Sequence, residues 1–371
     1  MVSRVTTIII ALVFFFSPQF AFASEPSYQA TVTKIVEQKT IEVFGASQIY
    51  QKIELSITTS DKKGELVTIE NGNQPLANII TFKVGDRVYL TQTTAPEGVK
   101  EFQITDFVRH DALLLLFIIF LILTIAIARF KGLSSMVSML LTFVILFTFV
   151  LPQISHGKNP VLIAIISSIL IIPTSFYMSH GINRKTSVAI VGSLISLTIT
   201  SLLAYVFIRL THLTGFSTEE AGMLSIDRRG LLDMKSLLLS GIVVGTLGVL
   251  DDITVSQAAI ADELSKVGNF KKVSELYFRT MVIGTDHITS MVNTLVLAYA
   301  GVSLPLLLMF VDNPQPISAI LNNEMIAEEI VRTLIGSIGL IVAVPITTYI
   351  AAKWFHFANS ANSVTKTSLG R

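Results

Sequence analysis

The chain has 371 residues, of which 51% are hydrophobic and only 14% are charged, and its mean hydropathy is +0.67. This composition excludes an ordinary soluble globular protein and predicts a polytopic membrane protein. The net charge is +1 and the basic residues are scattered through short loops, so nothing favours a nucleic-acid partner. The absence of cysteine excludes disulfides, thiolate metal sites and cysteine nucleophiles.

Residues 1–23 have the order of charge and hydropathy that is typical of a secretory signal peptide. Arg4 precedes an apolar run, and a small-x-small segment at 21–23 precedes Ser24. An uncleaved anchor helix is the alternative interpretation. In either case we expect the segment that follows to be exported.

Residues 24–108 form a different kind of segment, in which polar and apolar residues alternate between turn signals such as 71–73 and 84–86. Alternation with a period of two predicts short, half-buried strands. About five strands in this length suit a small barrel of the OB or SH3-like type. We see no metal cluster or catalytic constellation here, so the segment is interpreted as an extracytoplasmic packing or interaction domain.

Seven apolar segments follow, and each is near or above the roughly 20 residues that cross a bilayer. The predicted spans are 112–128, 133–151, 161–178, 188–208, 237–259, 281–310 and 331–352. The sixth is long enough to tilt, or to break near Pro305. The predicted fold is therefore a signal peptide, a small exported all-β domain, a seven-span α-helical membrane domain at 109–353 and a tail at 354–371.

The loop charges orient this array in the membrane. Export of the β domain places the hinge at Arg129 and Lys131 inside, together with the basic segment 263–279 and the C-terminal tail, whereas the acidic loop 312–329 lies outside. This alternation follows the positive-inside rule. The exception is the loop 209–235, which should lie outside but carries several basic residues; its mixed charge indicates an ordered segment over the bundle.

Spans five and six carry ionisable residues where a membrane span usually has none. Span five contains Asp251 and Asp252, and span six contains Asp286, His287 and Asn293. Ionisable groups at membrane depth are costly and mark candidate functional sites. Counted along the helices, Asp252 and Asp286 both lie roughly 10 Å inside the cytoplasmic boundary. We therefore expect antiparallel neighbours to hold them at matching heights.

The helical period then separates these residues by face. On span five, Asp252 and Ser256 lie on a stripe of small residues that predicts close helix packing through Gly241, Gly245 and Gly248. Asp251 points about 100° away from this stripe. On span six, polar residues share one face or lie directly beside it: Asp286, His287, Ser290, Asn293 and Thr294.

The predicted site is built around Asp252, Asp286 and Asn293, with Ser256 and Ser290 adding hydroxyl oxygens. Such a cluster could bind a hard cation or a proton, or contact a small solute. No cofactor is expected beyond a bound cation or proton, and the sequence does not specify a metal. The alternative is a purely structural role, in which these polar groups only hold the helices together and His287 neutralises a neighbouring carboxylate.

The same residues carry a family resemblance. The segments 245–256 (GTLGVLDDITVS) and 284–308 (GTDHITSMVNTLVLAYAGVSLPLLL) resemble the YibE/F-like family of bacterial membrane proteins, and the likeness extends over about 107–353. The family's single aspartate after the glycine pattern falls on Asp252, and its later elements fall on Asp286 and on Asn293-Thr294. The chain departs from this pattern at Asp251 and His287. The resemblance implies a multi-span protein of the cytoplasmic membrane and supplies no reaction.

Three classes of function remain open. The first is a transporter or permease in which the acidic cluster couples a cation or proton to a small solute or ion. The second is a non-enzymatic envelope assembly protein that binds a protein partner through the β domain while the spans anchor it in the lipid bilayer. A remote third is an intramembrane aspartyl hydrolase using Asp252 and Asp286. No catalytic residue is assigned, and an enzyme is the less favoured class.

Overall fold

The computed structural model describes residues 27–43, 46–59, 61–73, 80–94, 100–228, 230–268, 270–312 and 316–368. The predicted signal peptide at 1–23 and the last three residues of the predicted tail lie outside these ranges. The chain divides into two compact units, with the boundary between Ala126 and Ile127. One unit contains a β-sheet and the other a bundle of helices.

The β-sheet has five antiparallel strands in the order β3-β2-β1-β4-β5. The strands are β1 (Ser27–Val43), β2 (Ala46–Ile57), β3 (Leu66–Asn71), β4 (Arg87–Thr94) and β5 (Lys100–Phe107). The long β1 pairs with both β2 and β4, and β3 and β5 approach each other from the two ends of the strand order. The polar-apolar alternation thus predicted the number of strands.

The sheet buries one side of these strands around apolar residues such as Val32, Ile53 and Leu90. Gln51 is a buried polar residue in this core, with both ends of its amide bonded to the backbone of Phe82. Its Oε1 accepts from the Phe82 N–H at 2.8 Å, and its Nε2 donates to the Phe82 carbonyl at 3.0 Å. These two bonds hold the segment that leads into β4 against the sheet.

The rest of the described chain is helical. The helices are α1 (His110–Ile145), α2 (Leu151–Ser155), α3 (Pro160–His180), α4 (Arg184–Leu210), α5 (Glu219–Asp227), α6 (Met234–Val267), α7 (Val273–Val302), α8 (Leu304–Asp312), α9 (Ile317–Asn322) and α10 (Glu324–Ser368). A π-helical turn, Leu146–Val150, joins α1 to α2.

Five of these helical stretches are long and apolar enough to cross a membrane: His110–Ser155, Pro160–His180, Arg184–Leu210, Met234–Val267 and Glu324–Phe357. The first has 46 residues. It contains a non-helical residue, Arg129 (φ 52°, ψ −132°), at the hinge that the sequence predicted between spans one and two. The predicted sixth span is divided into α7 and α8 by Ser303. Polar residues lower the hydropathy of α7, so the described chain has five such helices and the count of seven stays a prediction.

Three long helices, α4, α6 and α10, pack against one another and form the centre of the bundle. Helix α3 packs on α6 and α4, and α7 packs on α10 and α6. Small residues let the central helices approach closely, as is common in membranes. A Cβ on Gly192 of α4 would lie 2.2 Å from Oγ1 of Thr347 on α10, and one on Gly339 of α10 would lie 2.5 Å from Oγ1 of Thr200 on α4.

The predicted packing stripe of Gly241, Gly245 and Gly248 is not where the described helices approach. A Cβ added to Gly241 or Gly248 would meet nothing within 4 Å, and one on Gly245 would meet only the Tyr299 hydroxyl at 3.8 Å. The packing role of this stripe stays a prediction, because periodicity identifies a face without saying which neighbour covers it. The bundle uses the opposite face of α6, which contains residues such as Leu250 and Ile253.

The loop between α4 and α6 contains α5 and is anchored to the first turns of α10. Oε1 of Glu324 accepts from the Thr214 N–H at 2.5 Å and from the Thr214 hydroxyl at 2.7 Å. The Ser217 hydroxyl donates to Glu328, whose other oxygen accepts from Arg332 at 2.6 Å. The segment of mixed charge is therefore ordered, because two glutamates of α10 accept its polar groups.

The difference between the two sets of glycines can be tested by matched substitutions. Gly192→Ala should lower the thermal unfolding midpoint of the detergent-solubilised protein, because overpacking a tight contact costs about 1–3 kcal/mol. Gly241→Ala should leave the midpoint unchanged or raise it, since alanine favours a helix over glycine by up to about 1 kcal/mol. Equal losses in both variants would contradict this packing arrangement.

Candidate functional site

Asp251 and Asp252 lie near the middle of α6 and face different surroundings. Asp251 is half-buried, whereas Asp252 is exposed in the single chain. Their neighbours Leu250 and Ile253 are buried in the bundle. Helix α6 is continuous through this pair, and its apolar face supplies the packing. Both carboxylates therefore lie on the side of α6 that is turned away from the α4–α10 contact.

Asp251 lies next to a histidine that the sequence left unassigned. Its Oδ1 is 3.9 Å from Nε2 of His180, the last residue of α3. The same oxygen is shielded from solvent and has no hydrogen-bond partner among the described residues. The sequence by itself assigned no role to His180. His180 follows span three on the same predicted side of the membrane as the end of span five that follows Asp251, and this was the signal that could have linked them.

A second group of predicted residues lines one open depression of about 590 Å³ between α6 and α7. Ser256 comes from α6, and Asp286, His287 and Ser290 come from α7. Ala259, Ile260 and Ile283 complete its lining. The structure thus brings together four of the residues that the helical period had grouped, on two consecutive helices.

The contacts between α6 and α7 indicate different heights for Asp252 and Asp286. A Cβ on Gly284 would lie 3.0 Å from Oε1 of Gln257, and one on Gly245 would lie 3.8 Å from the Tyr299 hydroxyl. These two contacts set the antiparallel register of α6 and α7. They place Asp286 level with about Ser256, one turn or about 6 Å beyond Asp252. This register differs by about one turn from the predicted matching heights, and it does not favour a pair of aspartates sharing one proton.

The polar face of α7 is directed away from the centre of the bundle. Leu276, Thr280 and Gly284 are its buried residues. Asp286 lies two residues after Gly284, which is about 200° around the helix. Asp286, Ser290, Asn293 and Thr294 are accordingly exposed in the single chain. Helix α7 turns this way because Gly284 lets it approach Gln257 and Val344 closely.

The sequence interpretation missed a layer of buried neutral polar residues in the central helices. Gln257 is fully buried, and its Oε1 accepts from the Thr348 hydroxyl at 3.0 Å. Its Nε2 has no partner among the described residues. The hydroxyls of Ser193 and Thr254 are 2.7 Å apart. A glutamine within an apolar helix was the available signal, because an amide in such a helix needs hydrogen-bond partners from a neighbouring helix.

The described residues contain no group of three or more histidine, aspartate or glutamate side chains placed to hold a metal ion. Instead, carboxylates and histidines from three helices lie near a short stretch of α6. Asp251 faces His180 on one side, and Ser256 faces Asp286 and His287 on the other. Several hydroxyls of α7 are already used locally, since those of Thr289 and Thr294 donate to their own helix. The arrangement offers sites for protons more readily than a closed cage of oxygen ligands.

Cysteine pairs can test the register of α6 and α7, because the natural chain has no cysteine to interfere. Ser256→Cys combined with Asp286→Cys should be joined efficiently by a short bifunctional thiol reagent, since both positions line one depression. Asp252→Cys combined with Asp286→Cys should react more slowly because of the one-turn offset. The measurement is the electrophoretic shift after cleavage of the loop between the helices. Faster joining of the second pair would restore the equal heights predicted from the sequence.

Comparison with known proteins gives one match. No curated protein and no solved structure shows significant similarity to the chain. The model of the family described as YibE/F-like protein matches residues 116–356, which include α3, α4, α6, α7 and the membrane-spanning part of α10. The match therefore covers more than half of the chain, together with both carboxylate-bearing helices. On this evidence the chain is an integral membrane protein that belongs to the YibE/F-like family.

Proposed function

We propose that this protein is a transporter of the cytoplasmic (inner) membrane that couples a cation or proton to the movement of a small solute or ion. The observation that carries the proposal is the convergence of titratable groups from three helices on one stretch of α6. His180 approaches Asp251, Asp252 is the next residue, and Asp286 and His287 lie beside Ser256. Chains of aspartate and histidine within membrane helices are typical of proton relays.

The surroundings of these titratable residues support a role along a hydrated path for protons rather than a role in holding the helices together. Groups that only hold helices together are normally buried between them, as Gln257 and Thr348 are. Asp252, Asp286 and Asn293 are exposed in the single chain. Charged groups at membrane depth do not face lipid without a large cost. We infer that this face borders a hydrated path, with Asp251 and His180 at one of its ends.

The proposal includes an orientation that follows from the loop charges. The β-sheet domain lies outside the cytoplasm, the C-terminus lies inside, and His180 lies at the cytoplasmic edge of the bundle. Barrel closure of the sheet in the OB manner belongs to the same proposal, and the approach of β3 to β5 supports it.

The coupling role can be tested with full-length protein in liposomes and on a supported membrane. A pH step should produce a transient current as protons bind, and a potassium diffusion potential should drive proton uptake into dye-loaded vesicles. Asp252→Asn and Asp286→Asn should each reduce both signals to the level of protein-free membranes, because an amide cannot bind the proton. Asp227→Asn is the matched control, since this exposed aspartate lies on α5, outside the cluster.

Retention of both signals, with the same pH dependence, in the Asp252→Asn and Asp286→Asn variants would overturn the proposal. Loss of the signals in Asp227→Asn as well would show that the effect is not specific to the cluster. Thermal unfolding of each variant separates loss of function from loss of fold.

A second candidate is an envelope assembly protein that recognises a partner through the β domain. The observation in its favour is that the sheet belongs to a compact unit with its own apolar core. A photoreactive residue in place of exposed Thr68 should then capture one stoichiometric partner in intact cells. This capture should persist in the Asp252→Asn and Asp286→Asn variants, whereas a transporter without such a partner should show no single captured protein.

A further inference from the structure

Two depressions meet on the surface between α3, α4 and α6 and form one continuous groove, which contains no residue of the candidate site. The first has a volume of about 550 Å³ and lies where α4 ends and α6 begins. The second has a volume of about 500 Å³ and runs along the helices toward the middle of the bundle. They share Val161, Ile165, Tyr205 and Leu239 in their linings. We call the first the mouth and the second the slot.

The mouth is basic. Arg209 and Lys235 both line it, and neither forms an ion pair within 4 Å among the described residues. The Arg209 guanidinium lies over the ring of Tyr205 at 4.4 Å, which fixes its direction along the helix end. Asn159 and Ser236 add polar groups.

One carboxylate, that of Asp233, also lines the mouth and accepts hydrogen bonds from the first turn of α6. Asp233 caps α6, because its side chain accepts from the Lys235 N–H at 3.2 Å and from the Ser236 hydroxyl. Asn159 caps α3 in the same way by accepting from the Val161 N–H at 2.9 Å. Lys235 also interacts electrostatically with Glu324, at a distance longer than an ion pair. Arg209 and Lys235 are the cationic groups of the mouth that an incoming anion would meet.

The slot offers a mainly apolar surface, although three residues with hydroxyl groups line it. Ser168, Thr198 and Ser201 each donate to a carbonyl of their own helix, at 2.7, 2.8 and 2.7 Å. The remaining lining consists of aliphatic side chains such as Leu194, Leu197 and Val243, apart from Tyr205 near the mouth. Nothing in this lining calls for a polar ligand.

The length of the groove matches one leaflet of a bilayer. From Arg209 to Thr198 along α4 there are eleven residues, or about 16 Å at 1.5 Å per residue. Half of a hydrocarbon core is about 15 Å. A ligand with an anionic group at the mouth and a chain in the slot would therefore lie parallel to the lipids around it.

We propose that this groove is a binding site for an anionic phospholipid of the bilayer, with the phosphate against Arg209 and Lys235 and one acyl chain in the slot. The site also gives a reason for the charges that break the positive-inside pattern, since both basic residues belong to the loop 209–235 and its borders. Basic groups between membrane helices are a known means of recognising lipid headgroups. The proposal is independent of the transport function, because none of the titratable residues of the transport proposal lines the groove.

The test is native mass spectrometry of the full-length protein in detergent, titrated with phosphatidylglycerol, phosphatidylcholine or inorganic phosphate. Wild-type protein should retain phosphatidylglycerol preferentially. Arg209→Gln combined with Lys235→Gln should weaken this binding by about tenfold or more, because each basic group near a membrane surface contributes about 1 kcal/mol. Arg228→Gln is the charge control, since Arg228 lies on the same loop outside the groove.

The slot is tested separately. Ser201→Phe should fill it and reduce phosphatidylglycerol binding, whereas Ile199→Phe, at an exposed position of α4 outside the groove, should not. Equal binding of phosphatidylcholine and phosphatidylglycerol, undiminished binding after loss of Arg209 and Lys235, or equal competition by inorganic phosphate would each overturn the proposal. Unchanged unfolding midpoints show that the variants remain folded.

Discussion

The bundle depends on how closely α4, α6 and α10 can approach one another. In lipid, apolar side chains gain little by leaving one apolar environment for another, so close contact between small residues and a few polar bonds must hold helices together. Gly192 and Gly339 supply the contact between α4 and α10, where an added methyl group would overlap a threonine hydroxyl. The Ser193–Thr254 and Thr348–Gln257 bonds tie α6 to the same two helices.

This central packing determines where the candidate site lies. Because α6 turns Leu250, Ile253 and Gln257 inward, Asp252 and the small-residue stripe are left on the outer side. Helix α7 then docks through Gly284, which rotates its polar face away from the core. The carboxylates consequently border the bundle instead of filling its centre. The basic mouth beyond α4 arises in a similar way, as a gap between helix ends that the central contacts leave open.

Several features could be predicted from the sequence because they depend on local pattern alone. Alternation gave the five strands, hydropathy gave the membrane class, and the hinge at Arg129 and the break before Pro305 followed from charge, length and proline chemistry. The helical period also grouped Asp286, His287 and Ser290 correctly on one side of α7. It could not give the offset between Asp252 and Asp286, because the register between two helices depends on where glycines such as Gly284 permit contact.

By itself, the sequence determined that this is a membrane protein with a β-rich segment before its helices, that it resembles the YibE/F-like family, and that its candidate site residues concentrate on two consecutive helices. Only the tertiary structure decided which neighbours those residues meet. His180 lies 3.9 Å from Asp251, and Ser256 lines the same depression as Asp286. Gln257 is buried where α6, α7 and α10 meet. The physical reason is that periodicity fixes the direction of a side chain around its own axis, whereas its surroundings depend on the rotation and height of every helix packed against it.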